Sequence, residues 1–159
     1  MLEFQHIIEV TAPADRRMAH MTRQQLWEGL VFRTRYPAQF NAAVTCRLGE
    51  TTRGGFVRFL DLGGTELRDE VLLIDQQEIR TSTGTSQSLF AESITKIEEP
   101  EPGHLFVRFN YRRDAVEVES GIDVNEYLKT AYVQSDREAV DRIRRFAADG
   151  LPSPGTWRQ

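Results

Sequence analysis

The stretch that decides the fold is Ile122 to Gly150, IDVNEYLKTAYVQSDREAVDRIRRFAADG, the longest helical pattern in the chain. Tyr127, Leu128, Ala131, Tyr132, Ser135, Ala139, Val140, Ile143, Phe146 and Ala147 recur along it at three- and four-residue spacing. Lys129, Arg137, Asp141, Arg144 and Arg145 fall on the other face, so the pattern predicts one amphipathic helix. Asp123 with Glu126 supplies a capping box at its start, while Gly150 and Pro152 stop it. At 1.5 Å rise per residue such a helix spans about 40 Å, enough to cross a small domain.

Upstream of it the periodicity changes from helical to alternating. Val44 to Leu48, Phe56 to Leu60, Leu67 to Ile74, Glu78 to Ser82, Leu89 to Ile97 and Leu105 to Arg112 read as six short strands. Between them lie Glu50-Thr51-Thr52, Leu62-Gly63-Gly64, Asp75-Gln76, Thr83-Gly84-Thr85 and Glu99-Pro100-Glu101-Pro102-Gly103, all turn chemistry. Links this short leave no room for helical crossovers, so the strands form an antiparallel meander. Further back, Leu2, Phe4, His6, Ile8 and Val10 alternate with Glu3, Gln5, Ile7 and Glu9 as one more strand. Thr22 with Gln25 then caps a helix carrying Leu26, Trp27, Leu30 and Val31. Tyr36-Pro37 ends it, and a short helical turn follows through Ala38 to Phe40. The order is strand, two helical segments, six strands and a long helix. This α+β pattern predicts a curved antiparallel sheet wrapped around the last helix, a form that encloses a cavity.

Composition sets the outer limits. A chain of 159 residues suits one domain over residues 1–150, followed by a tail at 151–159 whose Pro-Ser-Pro-Gly composition lacks a structural pattern. A domain of that size buries roughly 70% of the surface exposed by its unfolded chain, so neither disulfide nor metal is needed. The net charge of -4 arises from 20 basic and 24 acidic residues in mixed distribution, which argues against nucleic-acid binding. No apolar run approaches the roughly 20 residues of a membrane span, and Met1-Leu2-Glu3-Phe4 lacks the regions of a signal peptide. Cys46 is the only cysteine, and a cytoplasmic location is expected.

Five passages carry a family resemblance: Leu2 to Val10, Thr22 to Leu30, Leu67 to Val71, Leu105 to Tyr111, and Ala131 to Val140 continuing into Ile143-Arg144. Together they resemble the START-like (SRPBCC) superfamily, with its Bet v 1-type proteins, lipid-transfer domains and aromatase/cyclases, and more closely its AtaL-like branch. The resemblance covers residues 2 to about 150. It implies a helix-grip fold with a cavity between the sheet and the C-terminal helix, and it brings no catalytic motif.

In such a fold the concave sheet face and the inward helix stripe line the cavity. Trp27, Phe56, Leu67, Phe90 and Phe109 are the expected apolar wall, joined by Tyr111, Tyr127, Ala131 and Tyr132. Tyrosine hydroxyls can orient a ligand or donate a proton while the rings remain apolar. Asp69 shares a strand face with Leu67, Val71 and Leu73; pointing inward, it suits acid/base work, or structure if an arginine meets it. His6 falls on the apolar face of the first strand, where a core hydrogen bond or a proton-transfer role is available to it. His20 and His104 have no ligand-type neighbour at metal-binding spacing, so no metal or cofactor is expected. Cys46 reads as a small buried hydrophobe.

Three functional readings follow. The first is binding of a small hydrophobic or aromatic molecule, a lipid or a polyketide-like metabolite, in the cavity. The second is a cyclase or dehydratase acting in the same pocket, with His6, Asp69 or Tyr111 moving protons. The third is a homodimer formed through an exposed helix or sheet edge.

Overall fold

Alternation along the strands fixes which side chains meet the long helix, as the computed structural model shows for residues 2–18, 20–61, 63–84, 91–114 and 124–151. The elements are β1 (Leu2–Glu9), α1 (Arg23–Arg35), a 3-10 turn (Pro37–Gln39), β2 (Thr45–Thr52), β3 (Gly55–Asp61), β4 (Glu66–Ile74), β5 (Glu78–Gly84), β6 (Ala91–Glu101), β7 (His104–Arg113) and α2 (Val124–Asp149). The strands form one curved antiparallel sheet in the order β1-β7-β6-β5-β4-β3-β2, with β1 beside the last strand of the meander. The helix-grip α+β architecture expected from the sequence is what forms.

Local chemistry places the helix ends where they were expected. Thr22 Oγ1 accepts the Gln25 N–H at 3.1 Å and Gln25 Oε1 accepts the Thr22 N–H at 3.0 Å, closing the capping box of α1. Gly150, at φ 88°, sits just past α2 and donates its N–H to the Phe146 carbonyl at 2.7 Å. The second capping box cannot be located, because Asp123 lies outside the described residues; so does the start of the strand expected over Leu89 to Ile97.

Three strands outrun the turns expected for them. β2 continues through Glu50, Thr51 and Thr52, because a register shift between Leu48 and Thr51 absorbs the irregularity; the chain reverses at Gly54, whose φ is 85°. β6 likewise passes Glu99 and Pro100 to reach Glu101. Its ladder shifts between Glu98 and Glu101, where a proline without an N–H breaks no regular pairing. β5 runs through Thr83 to Gly84.

The core lies where α1 and α2 cross the sheet. Leu26, Trp27 and Leu30 from α1 and Val140 and Ile143 from α2 pack with Phe56, Val71, Ile79, Ile97, Val107 and Phe109. Each such side chain contributes roughly 1.5–3 kcal/mol through burial. The two helices approach closely at Gly29, where an added Cβ would stand 2.5 Å from Ile143 Cγ2. Arg144, expected on the solvent face, instead reaches back to the end of β1 and donates to the carbonyls of Glu9 at 2.8 Å and of Val10, just past the strand, at 3.2 Å.

Antiparallel register then arranges the inward side chains in rows across the sheet. One row runs Phe4, Tyr111, Ser93, Thr81, Val71, Phe56. The next runs Leu2, Arg113, Ala91, Thr83, Asp69, Arg58. Bulk sits at the flanks of both rows and small residues sit on β5 and β6. Space is therefore left under α2 at the centre of the sheet.

Candidate functional site

That space is a cavity of about 370 Å³. Its floor is Thr81 and Thr83 of β5 with Ala91, Ser93 and Thr95 of β6, and its roof is Tyr132 and Ser135 of α2. Arg33 and Thr34 at the end of α1, Phe40 after the 3-10 turn, Arg58 and Leu60 of β3, Asp69, and Tyr111 and Arg113 of β7 form the sides. The lining mixes apolar surface with hydroxyls and guanidinium groups.

Two buried carboxylates organise these charges. Asp136, 1% exposed on α2, accepts at Oδ2 from the Tyr111 hydroxyl at 2.5 Å and from His6 Nε2 at 2.7 Å, and at Oδ1 from Arg33 at 2.9 Å. Arg33 also donates to Ser135 Oγ at 3.3 Å. Across the cavity Asp69, also 1% exposed, accepts from Arg58 Nε at 2.8 Å and from the Thr83 hydroxyl at 2.6 Å. Arg58 Nη1 donates to the Thr34 carbonyl at 2.6 Å, fastening β3 to the end of α1. Such charges stay buried because each finds several charge-assisted hydrogen bonds.

Aromatic stacking builds the remaining wall. The Tyr111 and Tyr132 rings lie 4.5 Å apart with 18° between planes, and Phe4 stacks on Tyr111 at 5.1 Å. Arg113 donates to the Tyr132 hydroxyl at 3.1 Å. Burial first, and the negative charge of Asp136 second, hold the Tyr111 phenol well above the ordinary tyrosine range. Burial likewise pushes the Cys46 thiol up, and its sulfur faces the Arg35 carbonyl at 3.7 Å.

The residues singled out from sequence divide sharply. Tyr111 and Tyr132 line the cavity, and Asp69 does so with the arginine partner that makes it structural. Trp27, Phe56 and Phe109 are buried in the core beneath and do not line it, because the bulky residues sit on the flanking elements. Leu67 is half-buried at the start of β4, away from the lining. Tyr127, 71% exposed, and Ala131 face solvent: the inward stripe of α2 runs through Leu128, Tyr132, Asp136, Ala139 and Val140, one position around from the stripe drawn through hydrophobicity alone. Phe90 lies outside the described residues. His6 stacks on Phe109 at 5.0 Å and on Tyr111 at 6.4 Å, and it hydrogen-bonds to Asp136 behind the site. His104 pairs with Glu9 at 2.8 Å on the surface. Among the described residues no cluster of acids, histidines or cysteine has the make-up of a metal site, and no helix is long and apolar enough to cross a membrane.

Arg33, Arg58, Arg113 and Asp136 are the functional candidates that sequence reasoning passed over. A signal existed for two of them. Arg58 interrupts the inward alternation Phe56, Arg58, Leu60, and Asp136 stands four residues after Tyr132 and four before Val140.

A profile of the family described as AtaL, acetylaranotin biosynthesis cluster protein L, matches residues 8–150. The chain belongs to the AtaL family. Solved structures place this AtaL-family chain among START-like and Bet v 1-like folds. It is similar to the di-domain ARO/CYC protein BexL from the BE-7585A biosynthetic pathway, with TM-score 0.65 and 14% identity over 95% of this chain and 51% of that one. The chain thus spans about half the length of BexL. A START superfamily protein from Mycobacterium smegmatis gives TM-score 0.64 and 13% identity over 91% of this chain and 98% of that one. Ara h 8.0201 gives 0.57 and 12% over 89% and 97%. At these identities the shared feature is the fold. No curated protein sequence matches the chain.

Proposed function

We propose that this AtaL-family chain binds a small aromatic, polyketide-like molecule in the cavity between the sheet and α2. The observation that carries the reading is the cavity itself, about 370 Å³, walled by the stacked Tyr111 and Tyr132 rings above a floor of small residues. Its size lies within the usual range for small-molecule sites. A flat ring system removing about 200 Å² of apolar surface from water would gain roughly 5 kcal/mol. A lipid chain fits less well, since it would strip water from the floor hydroxyls without replacing their hydrogen bonds. Two fold relatives, BexL and StfQ, are ARO/CYC proteins of biosynthetic pathways, which agrees in kind with such a ligand.

Native mass spectrometry of protein purified from its own host tests this. A defined extra mass, lost on denaturation and carrying aromatic absorbance, is expected. A bare protein that also takes up no aromatic compound in solution would sink the proposal.

A cyclase or dehydratase is the second reading, favoured by the chain His6, Asp136, Tyr111, three groups able to hold or pass a proton. The Tyr111 proton is committed to Asp136, so delivery to a substrate requires that hydrogen bond to rearrange. This ranks binding first. A molecule released lighter than it entered by one water would reverse the ranking.

A further inference from the structure

Among the described residues the charges on the inward face do not balance. Three guanidinium groups, Arg33, Arg58 and Arg113, face two carboxylates, Asp136 and Asp69. Arg33 is matched by Asp136 and Arg58 by Asp69. Among the described residues Arg113 donates to the Tyr132 hydroxyl at 3.1 Å and to the Asp114 carbonyl at 3.4 Å, and no carboxylate of theirs stands within ion-pair distance of it. Glu92 and Arg112 also border the cavity, but they are register partners on the outer face, where Arg112 pairs with Glu3. The floor is also incomplete. Among the described residues the hydroxyls of Thr81, Ser93 and Thr95 have no protein hydrogen-bond partner, though all three line the cavity.

An unmatched cation beside an aromatic wall, above a row of unused hydroxyls, is complementary to one kind of molecule. We infer that the ligand is a planar, oxygen-bearing aromatic acid, its anionic group on Arg113, its ring against Tyr132 and Tyr111, and its ring oxygens over Thr81, Ser93 and Thr95. This rests on the cavity-binding reading and specifies the chemistry within it. The second row of the sheet explains the reach: Arg113, Ala91 and Thr83 are neighbours in register, so the cation stands beside an open stretch of floor.

Isothermal titration with hydroxynaphthoate, naphthol and decanoate separates the parts of the inference. Hydroxynaphthoate is expected to bind tightest, and Arg113→Gln to weaken it by about tenfold to a hundredfold while leaving naphthol within about twofold. Arg113→Lys, which keeps the charge, should restore part of the loss. Raising salt on the wild-type protein should weaken hydroxynaphthoate and leave neutral naphthol unchanged, a reading that does not depend on any variant folding. Equal affinity for hydroxynaphthoate and naphthol, or an unchanged affinity in Arg113→Gln, overturns the anionic subsite and leaves the cavity reading in place. Tighter binding of decanoate overturns the aromatic part. If none of the three binds, the cavity reading falls with the inference.

Discussion

Tyr111 on β7 and Asp136 on α2 meet at 2.5 Å, a phenol donating to a carboxylate across the seam between sheet and helix. The same carboxylate takes His6 from β1 and Arg33 from α1, so four elements converge on one side chain. A negative charge buried to this depth is tolerated only while its donors remain.

Asp136→Asn is therefore expected to destabilise the fold by about 3–5 kcal/mol, since it strands the Arg33 guanidinium in a low-dielectric seam. Urea unfolding followed by circular dichroism measures it. A midpoint close to that of the wild type would show that the four-way junction carries little.

Tyr111 gives the fold an alkaline limit. Its folded-state phenol ionises above the ordinary tyrosine range, so the native state keeps a proton that the unfolded chain gives up near pH 10. The corresponding stability is whole below that pH and drains away as the pH climbs through the raised native value. Urea midpoints measured from neutral to strongly alkaline pH should fall less steeply in Tyr111→Phe, which starts about 1–2 kcal/mol lower for want of the hydrogen bond. Parallel curves would contradict this.

The pair Arg58 and Asp69 should show the asymmetry of buried ion pairs. Asp69→Ala alone leaves Arg58 uncompensated and is expected to cost about 3–5 kcal/mol, whereas Arg58→Met with Asp69→Leu should recover most of that loss. Equilibrium unfolding of the wild type, the single and the double variant decides. A double variant as unstable as Asp69→Ala would mean that the hydrogen bonds to Thr34 and Thr83 matter more than the charge pairing.

Gly29→Ala tests the helix crossing. The new methyl would meet Ile143 Cγ2 at 2.5 Å, well inside contact distance, so α1 and α2 must separate. Overpacking of this kind costs about 1–3 kcal/mol despite the gain in helix propensity. Thermal denaturation reads it, and pairing the change with Ile143→Val should return part of the loss.

The architecture was legible because it depends on period and order. Leu105 to Arg112 alternates, Tyr132 to Ile143 recurs helically, and the turns between are short, so little else could be built from them. The strand ends at Thr52 and Glu101 were not legible, since a bulge lets a strand outlast residues that normally turn. The cavity wall was misjudged for a different reason. Alternation marks large aromatic residues as inward, yet a cavity persists where side chains are small, at Ala91, Ser93 and Thr81. Arg58 and Asp136 carry no reading in the sequence, because burial of a charge depends on partners from other elements, and here each has several.

The fastenings of α2 are unevenly placed. Ile143 against Gly29, Asp136 at the seam and Arg144 on the Glu9 carbonyl all hold its later turns, while Tyr127 and Ala131 on the earlier ones are exposed. Amide hydrogens should accordingly exchange faster before Tyr132 than after Asp136. On the cavity-binding proposal, a ligand is expected to leave by loosening the first turns of the helix, so that its residence time would follow local fraying and not the global unfolding rate.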